Sequence, residues 1–357
     1  MSAPRSDRRA ILALVLLLAI ATLAAWHWGR PSAPVRAAAQ SHPMSHHRPP
    51  TLGSETFQYA YPQNRLAADQ VYNPVPPQPS EKSVHEYELA VQDVEHEVAP
   101  GIRVPSWTFN GTVPGPVIRG REGDLMRIKL VNHGSVPHTI HFHGIHPAEM
   151  DGVFEMVPPG GSFTYEFVAR PFGVFPYHCH SMPASQHIHN GLYGMMIIDP
   201  KEGRPPMKEL AMVMSAFDLD RDGEADFYAW NGKAFQYADH PIELQKGEPV
   251  RMYVVNVFEE MMAPHIHGNM FNLIRSGTAL KPTELTDVVS LGIAERGILE
   301  FRYDLPGPYM FQCHFSEHME LGLMGWFVVS DRQKLKASAS SPPTPTKTPA
   351  HFHGAGK

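Results

Sequence analysis

Tyr177-His178-Cys179-His180 is followed by Gln186-His187-Ile188-His189-Asn190-Gly191-Leu192-Tyr193-Gly194. On an extended strand successive side chains point to opposite faces, so His178 and His180 share one face and Cys179 takes the other. A thiolate binding a metal on one side is then wired through the backbone to imidazoles on the other, which suits electron transfer between two metal sites. The signature returns as Phe311-Gln312-Cys313-His314-Phe315-Ser316-Glu317-His318, with Gly322-Leu323-Met324-Gly325 downstream. Upstream, His138-Thr139-Ile140-His141-Phe142-His143-Gly144 is echoed by Met262-Ala263-Pro264-His265-Ile266-His267-Gly268. The repeat predicts two similar consecutive domains, at residues 84–202 and 203–332.

Both domains read as β. Tyr87-Glu88-Leu89-Ala90-Val91 and Leu125-Met126-Arg127-Ile128-Lys129-Leu130-Val131 alternate apolar and polar residues, and turns rich in Gly, Pro and Asn separate such runs. No long helical period interrupts them. The reading is an all-β chain of short-stranded sandwiches. Residues 40–83, rich in Pro, Ser and His, read as a linker with little core of its own, and residues 333–357 as a disordered tail carrying His351 and His353. Residues 1–39 read as an export signal: Arg5, Arg8 and Arg9 precede an apolar run from Ala10 to Trp26. Ala37-Ala38-Ala39 is a candidate cleavage site, Arg8-Arg9 loosely resembles a twin-arginine signal, and the apolar run is just long enough for an uncleaved membrane anchor. The expected location is therefore periplasmic or extracellular.

Composition narrows the chemistry. The chain has 357 residues and a formal net charge of −6, which argues against nucleic-acid binding. It holds 22 histidines, many in His-x-His spacing, but only two cysteines. Both cysteines sit at matching points of the repeat, which speaks against a disulfide. In the first domain strand parity sorts the ligands. His138, Cys179 and His187 gather on one side, the two-imidazole, one-thiolate set of a blue-copper site. His141, His143, His178 and His180 gather on the other, as a separate cluster without a thiolate. Zinc accepts such residues too, but does not explain imidazole pairs back to back with the thiolate.

With Trp107-Thr108-Phe109-Asn110-Gly111-Thr112-Val113-Pro114-Gly115-Pro116 opening the first domain, these motifs resemble the two-domain multicopper oxidases, cupredoxin-fold relatives of laccases and copper nitrite reductases. The resemblance covers residues 85–330. It implies two consecutive cupredoxin-like Greek-key β-sandwich domains and about four coppers per chain: one type 1, one type 2 and two type 3. His138, Cys179 and His187 match the type 1 ligands, with Leu192 at the weak axial position in place of the commoner methionine. His141 and His265 resemble the type 2 ligands. His143, His178 and His314 resemble one type 3 set, and His180 and His267 the other, whose remaining ligand position is Gln312. Asp151 matches an acid that hydrogen-bonds cluster water and helps supply protons; its plain alternative is a turn residue before Gly152. The family's architecture implies a head-to-tail homotrimer with the cluster between neighbouring chains.

The resemblance implies an oxidase that takes electrons one at a time from a donor and reduces dioxygen to water. The donor itself, whether a phenol, a metal ion or a redox protein, is not encoded in the motifs. A copper nitrite reductase is the rival enzyme. It would use His143, His178 and His314, but His141 stands at its catalytic aspartate position and His180 follows the cysteine. A copper carrier without turnover is the third reading. In the second domain Met262 replaces a type 1 histidine, so Cys313 and His318 read as a remnant rather than a second blue site. Asp218-Leu219-Asp220-Arg221-Asp222-Gly223 resembles a calcium loop but places Ala229 where the closing Glu belongs, and reads as a polar hairpin loop.

Overall fold

The structure, a computed structural model, describes residues 66–331. Residues 1–65, with the expected export signal and the start of the expected linker, and residues 332–357, with the expected tail, lie outside the described residues.

The first domain contains β1 (Val84–Ala99), β2 (Ile102–Phe109), β3 (Ile118–Arg121), β4 (Leu125–Asn132), β5 (His141–Phe142), β6 (Ser162–Val168), β7 (Gly173–His178) and β8 (Tyr193–Asp199). They form two four-stranded sheets, ordered β2-β1-β4-β6 and β3-β8-β7-β5. The second domain contains β9 (Lys208–Phe217), β10 (Phe227–Trp230), β11 (His240–Gln245), β12 (Val250–Asn256), β13 (Pro264–Ile266), β14 (Phe271–Arg275), β15 (Glu284–Thr286), β16 (Arg296–Phe301), β17 (Gly307–Cys313) and β18 (Met324–Ser330). Their sheets run β10-β9-β12-β16-β14-β15 and β11-β18-β17-β13. In each domain a parallel pairing (β1 with β4, β9 with β12) joins strands that a hairpin cannot connect, so the chain crosses between sheets. The helices α1 (Ala184–His189), α2 (Gln236–Asp239) and α3 (Ser316–Glu320) are each about one turn long.

Alternation places the cores. Met126, Ile128 and Leu130 of β4 point inward and are fully buried, against Phe142, Tyr165 and Tyr177. The second domain packs Met212, Met252, Leu299, Phe311 and Phe327 in the same way. Between them lies a third apolar cluster that joins Val174, Met195 and Ile197 of the first domain to Val213, Tyr253 and Ile298 of the second. β8, β9 and β12 are therefore buried on both faces. This explains why Tyr193-Gly194-Met195-Met196-Ile197-Ile198 and Leu210-Ala211-Met212-Val213-Met214 read as continuous apolar runs without alternation.

The linker differs from its compositional reading. Residues 66–83 lie across both domains as a strap: Leu66 is buried, Ala211 N donates to Pro74 O (2.7 Å), and Tyr72 N donates to Gln236 Oε1 (2.9 Å). Its prolines withhold N–H donors but leave carbonyls to accept, and Arg119 Nη1 takes that of Pro77 at 2.7 Å. The Asp218 loop joins antiparallel β9 and β10, as a hairpin loop does. It is closed by side-chain caps such as Gly223 N to Asp218 Oδ2 (2.9 Å).

Candidate metal centres

Cys179 immediately follows β7. Its N–H donates to Leu192 O (2.9 Å), Leu192 N donates to His187 O (3.3 Å), and α1 between them folds His187 back over the thiol. His138 comes from the opposite side, held by reciprocal backbone hydrogen bonds with Val157. Cys179 Sγ lies 3.3 Å from His187 Nδ1 and 3.8 Å from His138 Nδ1, and the two Nδ1 atoms are 3.1 Å apart. All three side chains are buried, and Leu192 beside them is fully so. Burial, then the neighbouring His187, lowers the His138 pKa to about 4, and burial lowers that of His187 too. Both rings are thus kept in the neutral form that a metal requires. Two nitrogens and a sulfur with converging lone pairs, beside the fully buried Leu192, fit a trigonal copper site. Trp107 packs on both imidazoles, with ring centroids 4.6 Å from His187 and 5.2 Å from His138. It also lines a groove of about 350 Å³ with Asp93, Glu95, Gln186, Asn190 and Arg221.

The other side of the same strands carries the second group. β5 pairs with β7 so that His141 stands opposite His178. The ligand atoms of His141, His143 and His178 lie within 4.8 Å of one another. His180 joins them, its ring 5.6 Å from His141 and stacked 6.1 Å from His178. His178 Nδ1–H donates to Cys179 O (3.0 Å), leaving Nε2 to face His143 Nε2 at 3.4 Å. Burial, reinforced by the neighbouring imidazoles, takes His143 down to about 3, and burial takes His178 to about 4. His141 Nδ1–H donates to Asp151 O (2.8 Å), with the Asp151 carboxylate 3.3 Å away. Asp151 is thus set against a ligand candidate, and the same carboxylate lies 3.7 Å from His146 Nε2. His146 was not singled out from the sequence, although it stands three residues beyond His143. The 151 loop packs so closely that a Cβ on Gly152 would lie 1.9 Å from Ile140 O, at a φ of +74°.

In the second domain His265 lies 4.9 Å from His267 and 5.1 Å from His314, measured between ring centroids. His265 Nδ1–H donates to Asp287 O at 2.7 Å, as His141 donates to Asp151. Gln312 stands opposite His265, the register that His178 holds opposite His141. Its Oε1 is buried without a hydrogen-bond partner. His267 and His314 are exposed. Among the described residues no ring contact links these three imidazoles to the four of the first domain. One chain therefore presents two groups of imidazoles, four in the first domain and three in the second.

Two tandem β-sandwiches with a buried thiolate–imidazole centre backed by a histidine cluster define a cupredoxin-type copper protein. The sequence profile "Multicopper oxidase" matches residues 90–203 and again 204–333, and the chain belongs to the multicopper oxidase family. A crystal structure of a multicopper oxidase superposes with a TM-score of 0.68 at 46% identity, over 69% of this chain and 89% of that one. The copper nitrite reductase of Nitrosomonas europaea superposes at 0.65 with 26% identity, over 69% and 94%. The copper-containing nitrite reductase of Neisseria gonorrhoeae is 31% identical over 237 residues, and the match spans 60% of each protein. Copper is the metal of this family.

Proposed function

We propose that this is an exported oxidase that removes single electrons from a donor and reduces dioxygen to water at a histidine cluster shared between the chains of a homotrimer. The observation that carries this reading is the pair of imidazole groups. Four imidazoles gather in the first domain and three in the second, more than a single catalytic metal uses, and among the described residues no ring contact joins the two groups. Copper held there would supply one-electron redox chemistry at the thiolate and four-electron chemistry at the cluster.

The residues supply the rest. Trp107 covers the His138 and His187 rings, so a donor in the groove above it reaches the buried centre through an aromatic contact. The backbone of Cys179 would link copper held at its Sγ covalently to the His178 and His180 imidazoles. The hydrogen bond from His178 Nδ1–H to Cys179 O adds a second short link. Asp151 fixes the His141 tautomer through its carbonyl and presents a partly exposed carboxylate that can relay protons to reduced oxygen.

The second reading is a copper nitrite reductase, favoured by the Neisseria relative and by Gln312 in place of an imidazole. Against it stands His141, whose ring is 5.1 to 5.3 Å from His143 and His178, where that reading requires an acid. Oxygen uptake and nitrite reduction measured on one copper-quantified sample separate the two. Near four coppers per chain with oxygen uptake supports the oxidase. Near two with nitric oxide from nitrite overturns it.

A further inference from the structure

The second domain repeats the architecture of the thiolate centre almost contact for contact. Met262 exchanges backbone hydrogen bonds with Leu291 (3.0 and 2.8 Å), as His138 does with Val157. Cys313 N donates to Leu323 O (3.0 Å) and Leu323 N to His318 O (2.9 Å), matching Cys179, Leu192 and His187. Ala263 N donates to Cys313 Sγ (3.2 Å), as Thr139 N does to Cys179 Sγ (3.5 Å). Cys313 Sγ lies 3.4 Å from His318 Nδ1, against 3.3 Å in the first domain. Even the aromatic cover is kept. Tyr228 stacks on His318 at 3.9 Å and, like Trp107, donates its backbone N–H to the carbonyl just past the short helix.

We propose that Cys313, His318 and Met262 form a second, cuprous-ion site in this domain. Sδ of methionine and Nδ1 of histidine stand the same number of bonds from Cα, so Met262 can present a thioether where His138 presents its nitrogen. The exchange turns a two-nitrogen, one-sulfur set into one nitrogen with two sulfurs. Thiolate and thioether together favour the soft monovalent ion, so the bound copper stays cuprous and colourless. A second observation points the same way. His318 Nε2 lies 3.4 Å from Glu260 Oε2, and that carboxylate accepts from Tyr228 OH at 2.7 Å. A carboxylate at Nε2 fixes the proton there and leaves Nδ1 free toward Cys313, the arrangement that orients metal-binding imidazoles. A packed thiol donating to His318 Nδ1 uses the same Nε2–H tautomer, so the copper count in the Met262 variants decides between the two. The site is independent of whether the enzyme reduces dioxygen or nitrite.

The test is anaerobic titration of the full-length protein with cuprous ion, followed by a count of the copper retained and then by oxidation with ferricyanide to read the blue absorption. Cys313→Ser and the near-isosteric Met262→Leu should each retain about one ion fewer per chain than wild type, with the Cys179 blue band intact. Met262→His, which restores the nitrogen, should add a second blue band of about equal intensity. Equal retention by wild type and Met262→Leu, with thermal unfolding unchanged, overturns the three-ligand site. So does a Met262→His variant that folds but gains no blue absorption.

Discussion

Arg119 is the polar centre of the contact between the domains and gives the most quantitative prediction. It is 3% exposed. Its Nε and Nη2 bind the two oxygens of Asp199 at 2.7 and 3.0 Å, and its Nη1 and Nη2 bind Glu209 of the second domain at 2.6 and 3.2 Å. In Arg119→Met the two carboxylates fare differently. Glu209 keeps Tyr253 OH at 2.7 Å and Arg251 Nη1 at 3.3 Å. Asp199, 5% exposed, loses the guanidinium from both oxygens. One stranded buried charge costs about 3–5 kcal/mol, so the variant should lose about that much stability. Asp199→Leu added to Arg119→Met removes the stranded charge and should recover most of the loss, to within about 2 kcal/mol of wild type. The assay is denaturant unfolding of copper-free protein at one fixed concentration, followed by tryptophan fluorescence. A loss below about 1 kcal/mol in Arg119→Met, or a double variant no more stable than the single, refutes the reasoning.

Three further outcomes follow from the structure. His96 is buried and donates from Nε2–H to Gly232 O at 2.7 Å across the two domains, and burial lowers its pKa from 6.5 to about 4. The unfolded chain then binds the extra proton first, so the His96 contribution is complete above about pH 6.5. It is lost as pH falls toward 4, by about 3 kcal/mol in all. Wild-type and His96→Gln stability curves should diverge in slope across that window; parallel curves contradict the assignment. Leu192→Met supplies an axial thioether and should lower the reduction potential of the blue centre, measured by redox titration, and an unchanged or higher value argues against Leu192 as the axial residue. Gly152→Ala forces a Cβ against Ile140 O and should cost more than about 1 kcal/mol. It should also slow oxygen uptake while leaving the blue absorption; unimpaired turnover would remove Asp151 from the proposed proton path.

Much of the site was legible because strand parity is a strict rule. His178, Cys179 and His180 alternate faces as a two-residue period requires, and the repeat by itself predicts Gln312 in the register of His178. The missed contributions arise from contacts that no period encodes. Trp107 belonged to a recognised motif, but its stacking on His187 depends on where β2 lies against α1. His146 reaches Asp151 only because the chain turns after Gly144, which adopts a φ of +131°. The strap at residues 66–83 was hidden for a different reason. Composition reports that such a segment buries little of its own side chain, yet its backbone carbonyls and N–H groups are what the domains bind.

The central claim is that the cluster joins histidines of two different chains, and subunit mixing tests it most directly. One variant carries His141→Ala and His143→Ala, the other His265→Ala and His267→Ala, and each alone should be inactive in oxygen uptake. Co-expressed in equal amounts, they place an intact first domain beside an intact second domain at about one interface in four, so activity should return to about a quarter of wild type. Mixed trimers, verified by mass, that remain as inactive as either parent would contradict the account.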